Sequence, residues 1–111
     1  MTNRDLGKIG EDMAVKYLEK NDFRVLSRNY RTAKGEIDII ALRREQIHFV
    51  EVKTRQGDGF GRPAESVDGR KLSHMKAAAC AYLANRRDYC GPVRDVQFDV
   101  IEIQIDHIEN I

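Results

Sequence analysis

Apolar positions divide the chain into two helical and four strand-like segments. Residues 4–20 and about 66–87 repeat apolar side chains every three or four positions, which is typical of amphipathic helices. Four shorter apolar segments, bounded by polar or glycine-containing turns, are predicted strands: 23–30, 36–42, 47–55 and 93–103. The predicted order is therefore α-β-β-β-α-β in an α/β fold, and the length suits one domain over residues 1–111.

The apolar stripe of each predicted helix indicates the face that packs against the sheet. The stripe of the first helix consists of Leu6, Ile9, Met13, Tyr17 and Leu18. The stripe of the second consists of Leu72, Met75, Ala79, Tyr82 and Leu83. Ser66 is a predicted N-cap of the second helix. The first strand is half polar, which predicts a place at a sheet edge.

Arg44 and Glu45 lie between the second and third strands and predict a hairpin turn. If the hairpin is centred there, paired residues have numbers that sum to 89, and side chains alternate between two faces. One face then carries Glu36, Asp38, Ile40, Leu42, Ile47, Phe49, Glu51 and Lys53. The other carries Ile37, Ile39, Ala41, Val50 and Val52. The half of the first face far from the turn therefore combines three carboxylates with a lysine.

In this register Asp38 lies directly opposite Glu51, and two such carboxylates repel each other unless a proton or a divalent cation neutralises them. Ligands that are all oxygen favour Mg²⁺ or Mn²⁺ over zinc. Lys53 on the same face would orient or help to deprotonate a water, or stabilise charge on a phosphate. An ordinary solvated face, with Glu36 and Lys53 as a surface ion pair, is the alternative that the pattern leaves open.

Charge is distributed unevenly along the chain. Residues 1–94 hold 19 Lys/Arg and 13 Asp/Glu, whereas residues 95–111 hold five acids and no base. A basic body allows a phosphate-backbone partner without requiring one. The two cysteines form neither a zinc-ligand spacing nor a disulfide framework. No secretory signal or membrane-spanning run is visible, so we expect a soluble protein of the cytoplasm.

Five stretches, in order along the chain, resemble the small bacterial YraN-type proteins: "GKIGEDMAVKYLEKNDFRVLSRNYR", "GEIDIIAL", "FVEVKTR", "FGRPAESVDGRK" and "QFDVI". Those proteins are predicted endonucleases of the restriction-endonuclease-like, or PD-(D/E)XK, superfamily, which includes Holliday junction resolvases. The resemblance covers residues 7 to 102, which is nearly the whole chain.

The resemblance implies a restriction-endonuclease-like core, in which helices flank a mixed central β-sheet, with a metal-dependent phosphodiesterase site. By position it makes Asp38 and Glu51 metal ligands and Lys53 the catalytic lysine. Glu11 matches an additional catalytic carboxylate and metal ligand, and Glu36 would support the others. Nearby basic residues are candidates for contacts to the DNA backbone: Arg28, Arg31, Lys34, Arg55, Arg62 and Lys71.

The predicted function is a Mg²⁺- or Mn²⁺-dependent DNA endonuclease that acts on branched or flapped DNA, and the expected partner is branched or duplex DNA. One alternative is a nucleic-acid-binding module that keeps the nuclease fold but cleaves little or not at all. Another is an interaction protein whose acidic tail, residues 104–111, binds a basic partner. A homodimer is an open alternative to a monomer, because nucleases that cut both strands often use two sites. No membrane partner is expected.

Overall fold

The computed structural model describes residues 1–57 and 68–111. The elements, in chain order, are α1 (Asn3–Lys20), β1 (Arg24–Thr32), β2 (Gly35–Arg43), β3 (Gln46–Gln56), α2 (Gly69–Asn85) and β4 (Asp95–Ile105). The predicted α-β-β-β-α-β order is confirmed. Ser66, the predicted N-cap of the second helix, lies outside the described residues. Asp68 caps α2, because its Oδ1 accepts a hydrogen bond of 2.9 Å from the backbone N–H of Lys71.

The four strands form one mixed sheet in the order β1-β2-β3-β4. The first three strands are antiparallel to their neighbours, whereas β4 runs parallel to β3. A parallel pair needs a crossover connection, and α2 lies in that connection. The predicted edge position of β1 is confirmed, and β4 forms the other edge.

The hairpin between β2 and β3 has the predicted register close to its turn. Arg44 and Glu45 both have positive φ, at 53° and 65°, as a two-residue type I′ turn requires. The ladder runs from Arg43 opposite Gln46 to Ile39 opposite Val50, so each pair sums to 89. The turn therefore fixes which side chains of β2 and β3 share a face.

A hydrophobic cluster lies on each face of the sheet. The cluster beneath α2 consists of Ile37, Ile40, Ile47, Phe49, Ala78, Ala79 and Tyr82. The cluster beneath α1 consists of Ala14, Leu18, Ile39, Ala41 and Val50. The predicted stripe of the second helix is confirmed at Met75, Ala79 and Tyr82, which are buried.

Ile37 lies on the face opposite to the predicted one. It packs with Ile40 beneath α2 rather than with Ile39 beneath α1. The described pairing of β2 with β3 ends at Ile39, so the strict alternation of the ladder does not extend to Ile37. Asn29, on the neighbouring strand at this level, has a positive φ of 52°, which interrupts regular strand geometry.

The predicted apolar stripe of α1 is wrong at its centre. Ile9, Met13 and Tyr17 are 41%, 48% and 58% exposed, whereas Gly10 and Ala14 are buried. The reason is close approach of the helix to β3: a Cβ on Gly10 would lie 1.6 Å from Thr54 Oγ1. Small residues therefore form the contact, and the larger apolar side chains lie on the flank of the helix.

His48 faces α1, as its position in β3 predicts, and it is buried. Its Nδ1 lies 2.6 Å from Asp99 Oδ2 on β4, and its ring meets that of Phe23 edge-on with centroids 4.8 Å apart. This pair connects the two parallel strands through their side chains.

Among the described residues no helix is long and apolar enough to cross a membrane. Cys80 and Cys90 are exposed free thiols.

Candidate metal and nucleic-acid site

The charged residues of the hairpin lie where β2 and β3 stop pairing. Asp38 Oδ2 accepts a hydrogen bond of 2.8 Å from the backbone N–H of Val52. The predicted cross-strand pairs Asp38–Glu51 and Glu36–Lys53 are wrong, since the ladder described between these strands ends at Ile39 and Val50. The Asp38 side chain occupies the N–H that continued pairing would have given to the β2 backbone.

Burial raises the pKa of the Asp38 carboxyl to about 6. The hydrogen bond from Val52 opposes that rise, while the negative charges of Glu51 and Glu11 add to it. The Lys71 ammonium lowers the pKa in turn. The structure therefore brings Asp38 into electrostatic contact with Glu11 and Glu51, the two glutamates that the resemblance implies as ligands. Asp38 and Glu51 are nevertheless not paired across the hairpin.

Glu51 is a buried carboxylate that two ammonium groups contact. Its side chain is 5% exposed, and its Oε1 lies 2.5 Å from Lys71 Nζ and 3.5 Å from Lys53 Nζ. Burial is the largest single influence on the pKa of Lys71 and lowers it, but the hydrogen bond to Glu51 and the negative charges of Glu51 and Asp38 together raise that pKa above its ordinary value. Lys53 and Glu51 thus lie together as the alternation of β3 predicts, and α2 contributes a second lysine.

Glu11 projects from α1 toward β1 and is largely buried, with a side chain that is 14% exposed. Its Oε1 accepts hydrogen bonds from Arg28 Nε at 3.1 Å and from Asn29 Nδ2 at 2.9 Å. Arg28 also donates to Asp12 Oδ1 at 2.6 Å, and this bond is the main cause of the raised pKa of Arg28. Arg28, a predicted DNA contact, is therefore held by two carboxylates of the protein.

A cleft of about 510 Å³ joins Glu11 and Asp38 between α1 and the strands β1 and β2. Its basic wall includes Arg4 and Lys8, which were not among the predicted DNA-contacting residues. Their spacing could have indicated this position. Residues 4, 8 and 11 are separated by four and three positions, so Arg4 and Lys8 lie on the same face of the helix as Glu11. The cleft thus combines acidic groups on its floor with cations on its helical wall.

The other predicted DNA-contacting residues are spread around this region. Arg31 Nε lies 3.3 Å from Glu36 Oε2 on the surface, where both side chains are exposed. Lys34 is exposed in the turn between β1 and β2. Arg55 Nε donates to Glu102 Oε1 at 3.1 Å, farther along β3. Arg62 lies outside the described residues.

Asp38 and Glu51 are two carboxylates in electrostatic contact, which is the type of ligand that a divalent cation uses. Mg²⁺ is commonly held by one or two carboxylates, with waters and substrate phosphates as its remaining ligands. Across residues 1–57 and 68–111, no group of three or more His, Cys, Asp or Glu side chains is placed to hold a metal ion together. Asp38 and Glu51 would thus supply two of the ligands that Mg²⁺ needs, and Glu11 is a further acidic group of the cleft.

The chain matches the model of the uncharacterised protein family UPF0102 over residues 10–103. A UPF0102 protein of Moorella thermoacetica is 44% identical over 111 residues, which are all of this chain and 90% of that protein. A second, of Alkaliphilus oremlandii, is 42% identical and covers 97% of each chain. A third, of Chlorobium phaeobacteroides, is 46% identical over 89% of this chain and 76% of its own length. The resemblance to YraN-type proteins is confirmed, and this chain belongs to the UPF0102 family.

Proposed function

We propose that this protein is a Mg²⁺- or Mn²⁺-dependent DNA endonuclease that hydrolyses phosphodiester bonds. The observation that carries the proposal is the buried carboxylate Glu51 with Lys53 and Lys71 on its oxygen, beside an Asp38 carboxyl of raised pKa. A carboxyl of strongly raised pKa beside a cleft is a common property of catalytic sites. The resemblance to YraN-type proteins, whose superfamily includes Holliday junction resolvases, supports branched or flapped DNA as the substrate.

Each residue of the site has a chemical task in this proposal. Asp38 and Glu51 hold the cation, and a bound Mg²⁺ or Mn²⁺ would supply an activated water and neutralise phosphate charge. Lys53 is fixed on β3 beside Glu51, where its ammonium meets the charge that develops on the scissile phosphate. Glu11 adds a third carboxylate at the wall of the cleft.

The cations around the cleft bind the DNA backbone in this proposal. Arg4 and Lys8 line one wall, and Arg31 lies at the opposite wall. Contacts of this kind give affinity that depends on salt and not on base sequence. Substrate choice then follows from the shape of the DNA rather than from its bases.

A binding module without cleavage is the second candidate, and one observation favours it. The part of the chain that the structure describes has no cluster of three or more metal-binding side chains. Such a module would bind DNA through the same basic walls and would keep that binding when Asp38 is substituted.

Cleavage of labelled duplex, flap and four-way-junction DNA with Mg²⁺, Mn²⁺ or EDTA tests the enzyme. We expect metal-dependent products from the wild type and a loss of about 100-fold or more in Asp38→Asn and Lys53→Ala, because each removes a group that acts on the reacting phosphate. Asp106→Asn and Lys76→Ala are matched controls at exposed positions and should cleave as the wild type does.

Two results would count against the enzyme. Products that persist in EDTA or in Asp38→Asn would mean that the cleavage does not come from this site. Intact DNA in every reaction, together with salt-dependent binding, would leave the binding module as the function.

A further inference from the structure

Two cations share one oxygen of Glu51, and the one from α2 is the nearer. Lys71 Nζ lies 2.5 Å from Glu51 Oε1, against 3.5 Å for Lys53 Nζ. Lys53 belongs to the same strand as Glu51, whereas Lys71 reaches it from the first turn of a separate helix. The contact between Lys71 and Glu51 is therefore a tertiary contact within the candidate site.

An ammonium in this position competes with a metal ion for Glu51. A carboxylate oxygen offers two lone pairs, and the Lys71 ammonium occupies one of those on Oε1. A metal ion bound to the same carboxylate would lie within a few ångströms of that ammonium, and like charges repel strongly at such separations. Metal binding at Glu51 is therefore favoured when Lys71 moves away.

Among the described residues, the four groups Asp38, Glu51, Lys53 and Lys71 balance in charge without a metal. Asp38 and Glu51 carry two negative charges when ionised, and Lys53 and Lys71 carry two positive ones. A divalent cation adds two positive charges, and an anionic phosphate is the group that offsets them. Binding of the cation and binding of DNA should therefore favour each other, and linkage makes that effect reciprocal.

Lys71 has room to leave Glu51. Its side chain is 36% exposed and lies at a hollow of about 380 Å³ that also contains Arg70 and His74. A lysine side chain is long and flexible, so its ammonium can move several ångströms while the helix stays in place. The hollow opens beside Glu36, next to the diverging strands, where a DNA backbone at the site would pass.

We propose that Lys71 is an internal counter-ion of Glu51. When a divalent cation binds Glu51, Lys71 leaves that carboxylate and binds a DNA phosphate. The inference rests on the proposed metal-dependent function. In this proposal the Lys71 ammonium contacts Glu51 in the free protein and a DNA phosphate in the complex, so its role goes beyond a permanent contact with the DNA backbone.

Calorimetric titration of the DNA-free protein with Mn²⁺ tests the first half of the proposal. Lys71→Met removes the charge and keeps the length of the side chain, so we expect Mn²⁺ affinity to rise about tenfold, as the loss of a close cation predicts. Lys71→Arg keeps a cation and should bind Mn²⁺ about as the wild type does. Lys76→Met, at an exposed position of the same helix, is the matched control and should change nothing.

The second half is tested by DNA affinity measured with EDTA and with Ca²⁺ in place of Mn²⁺. In the wild type we expect the cation to strengthen DNA binding, because it releases Lys71 toward the phosphate. In Lys71→Met that enhancement should fall by about tenfold, because no lysine charge is left for the cation to release toward the phosphate. Lys71→Gln serves as a second neutral variant if Lys71→Met folds poorly.

The outcomes separate the inference from the proposed function. If the wild type binds Mn²⁺ and cleaves DNA, but Lys71→Met and Lys71→Gln match it in both titrations, the Lys71 inference is overturned and the enzyme stands. Weaker Mn²⁺ binding by the neutral variants would also overturn it, because Lys71 would then be holding Glu51 for the metal. If the wild type binds no divalent cation with or without DNA, the proposed function itself fails.

Discussion

The two ends of the β2–β3 hairpin are built on opposite principles. At the turn end, five residue pairs form a regular ladder, and Ile40, Ile47 and Phe49 are fully buried beneath α2. At the other end the ladder stops, and the side chains of Asp38 and Glu51 come within electrostatic range of each other. One continuous hairpin thus has an apolar half that supports the fold and a charged half that carries the candidate chemistry.

The two ends of the hairpin differ in what they contribute to the free energy of unfolding. The turn end satisfies its backbone through regular pairing and places apolar side chains in the core. At the open end a buried carboxylate is held at a raised pKa, which means that its charge destabilises the folded state at neutral pH. Such a cost is typical of functional sites, where groups are positioned for a ligand rather than for stability.

The largest effect should come from the apolar half. Phe49 stacks on Phe98 with ring centroids 5.4 Å apart, and it meets Tyr82 edge-on. We expect Phe49→Ala to lower the free energy of unfolding by about 3–5 kcal/mol, because it leaves a cavity in the core. Urea denaturation measures this loss. Tyr17→Ala is the aromatic control, since Tyr17 is 58% exposed and should cost less than about 1 kcal/mol. If Phe49→Ala and Tyr17→Ala lost the same free energy of unfolding, the turn end of the hairpin would not be the part that stabilises the fold.

A gain in stability should come from the charged half. The folded protein binds the Asp38 proton more tightly than the unfolded chain does, so protonation of Asp38 stabilises the folded state. That stabilisation is fully present below pH 3.8 and is lost as the pH rises through about 6. Asp38→Asn escapes the loss, and its amide oxygen can still accept the bond from Val52. We therefore expect the variant to be more stable than the wild type by about 2 kcal/mol at pH 8 in EDTA.

Urea denaturation of both proteins at pH 8 and near pH 4 checks this expectation. The difference should shrink toward zero at the lower pH, where Asp38 in the folded wild type is protonated. A gain of the same size at both pH values would show that the cost at Asp38 is not electrostatic. Comparison of the two proteins cancels the titration of the shared groups that do not interact with Asp38.

The smallest effect should come from the turn itself. Arg44 and Glu45 adopt positive φ, which costs non-glycine residues conformational energy. We expect the double substitution Arg44→Asn with Glu45→Gly to stabilise the protein by about 1 kcal/mol, because Asn-Gly suits a type I′ turn. Thermal denaturation measures the gain. Metal-dependent cleavage should be unchanged, and a change would show that the two ends of the hairpin are coupled.

Local patterns predicted the elements and the turn end, and tertiary geometry determined the rest. Alternation along β3 was sufficient to place Glu51 and Lys53 together, since both lie on one strand. The contact of Lys71 with Glu51 depends on where α2 packs, which no spacing within β3 encodes. At α1 a count of large apolar residues was misleading, because Gly10 allows a closer approach than any of them. The small pair at positions 10 and 14 was the signal that could have revealed the buried face.

The parallel pairing of β4 with β3 also has a consequence for the order of folding. The hairpin ladder joins residue 39 to residue 50, whereas the parallel ladder joins residue 46 to residue 95. Closing the longer loop costs more chain entropy, and contacts between distant residues form slowly. We therefore expect the edge of β3 that faces β4 to be covered last, after the hairpin that carries Asp38, Glu51 and Lys53 has formed.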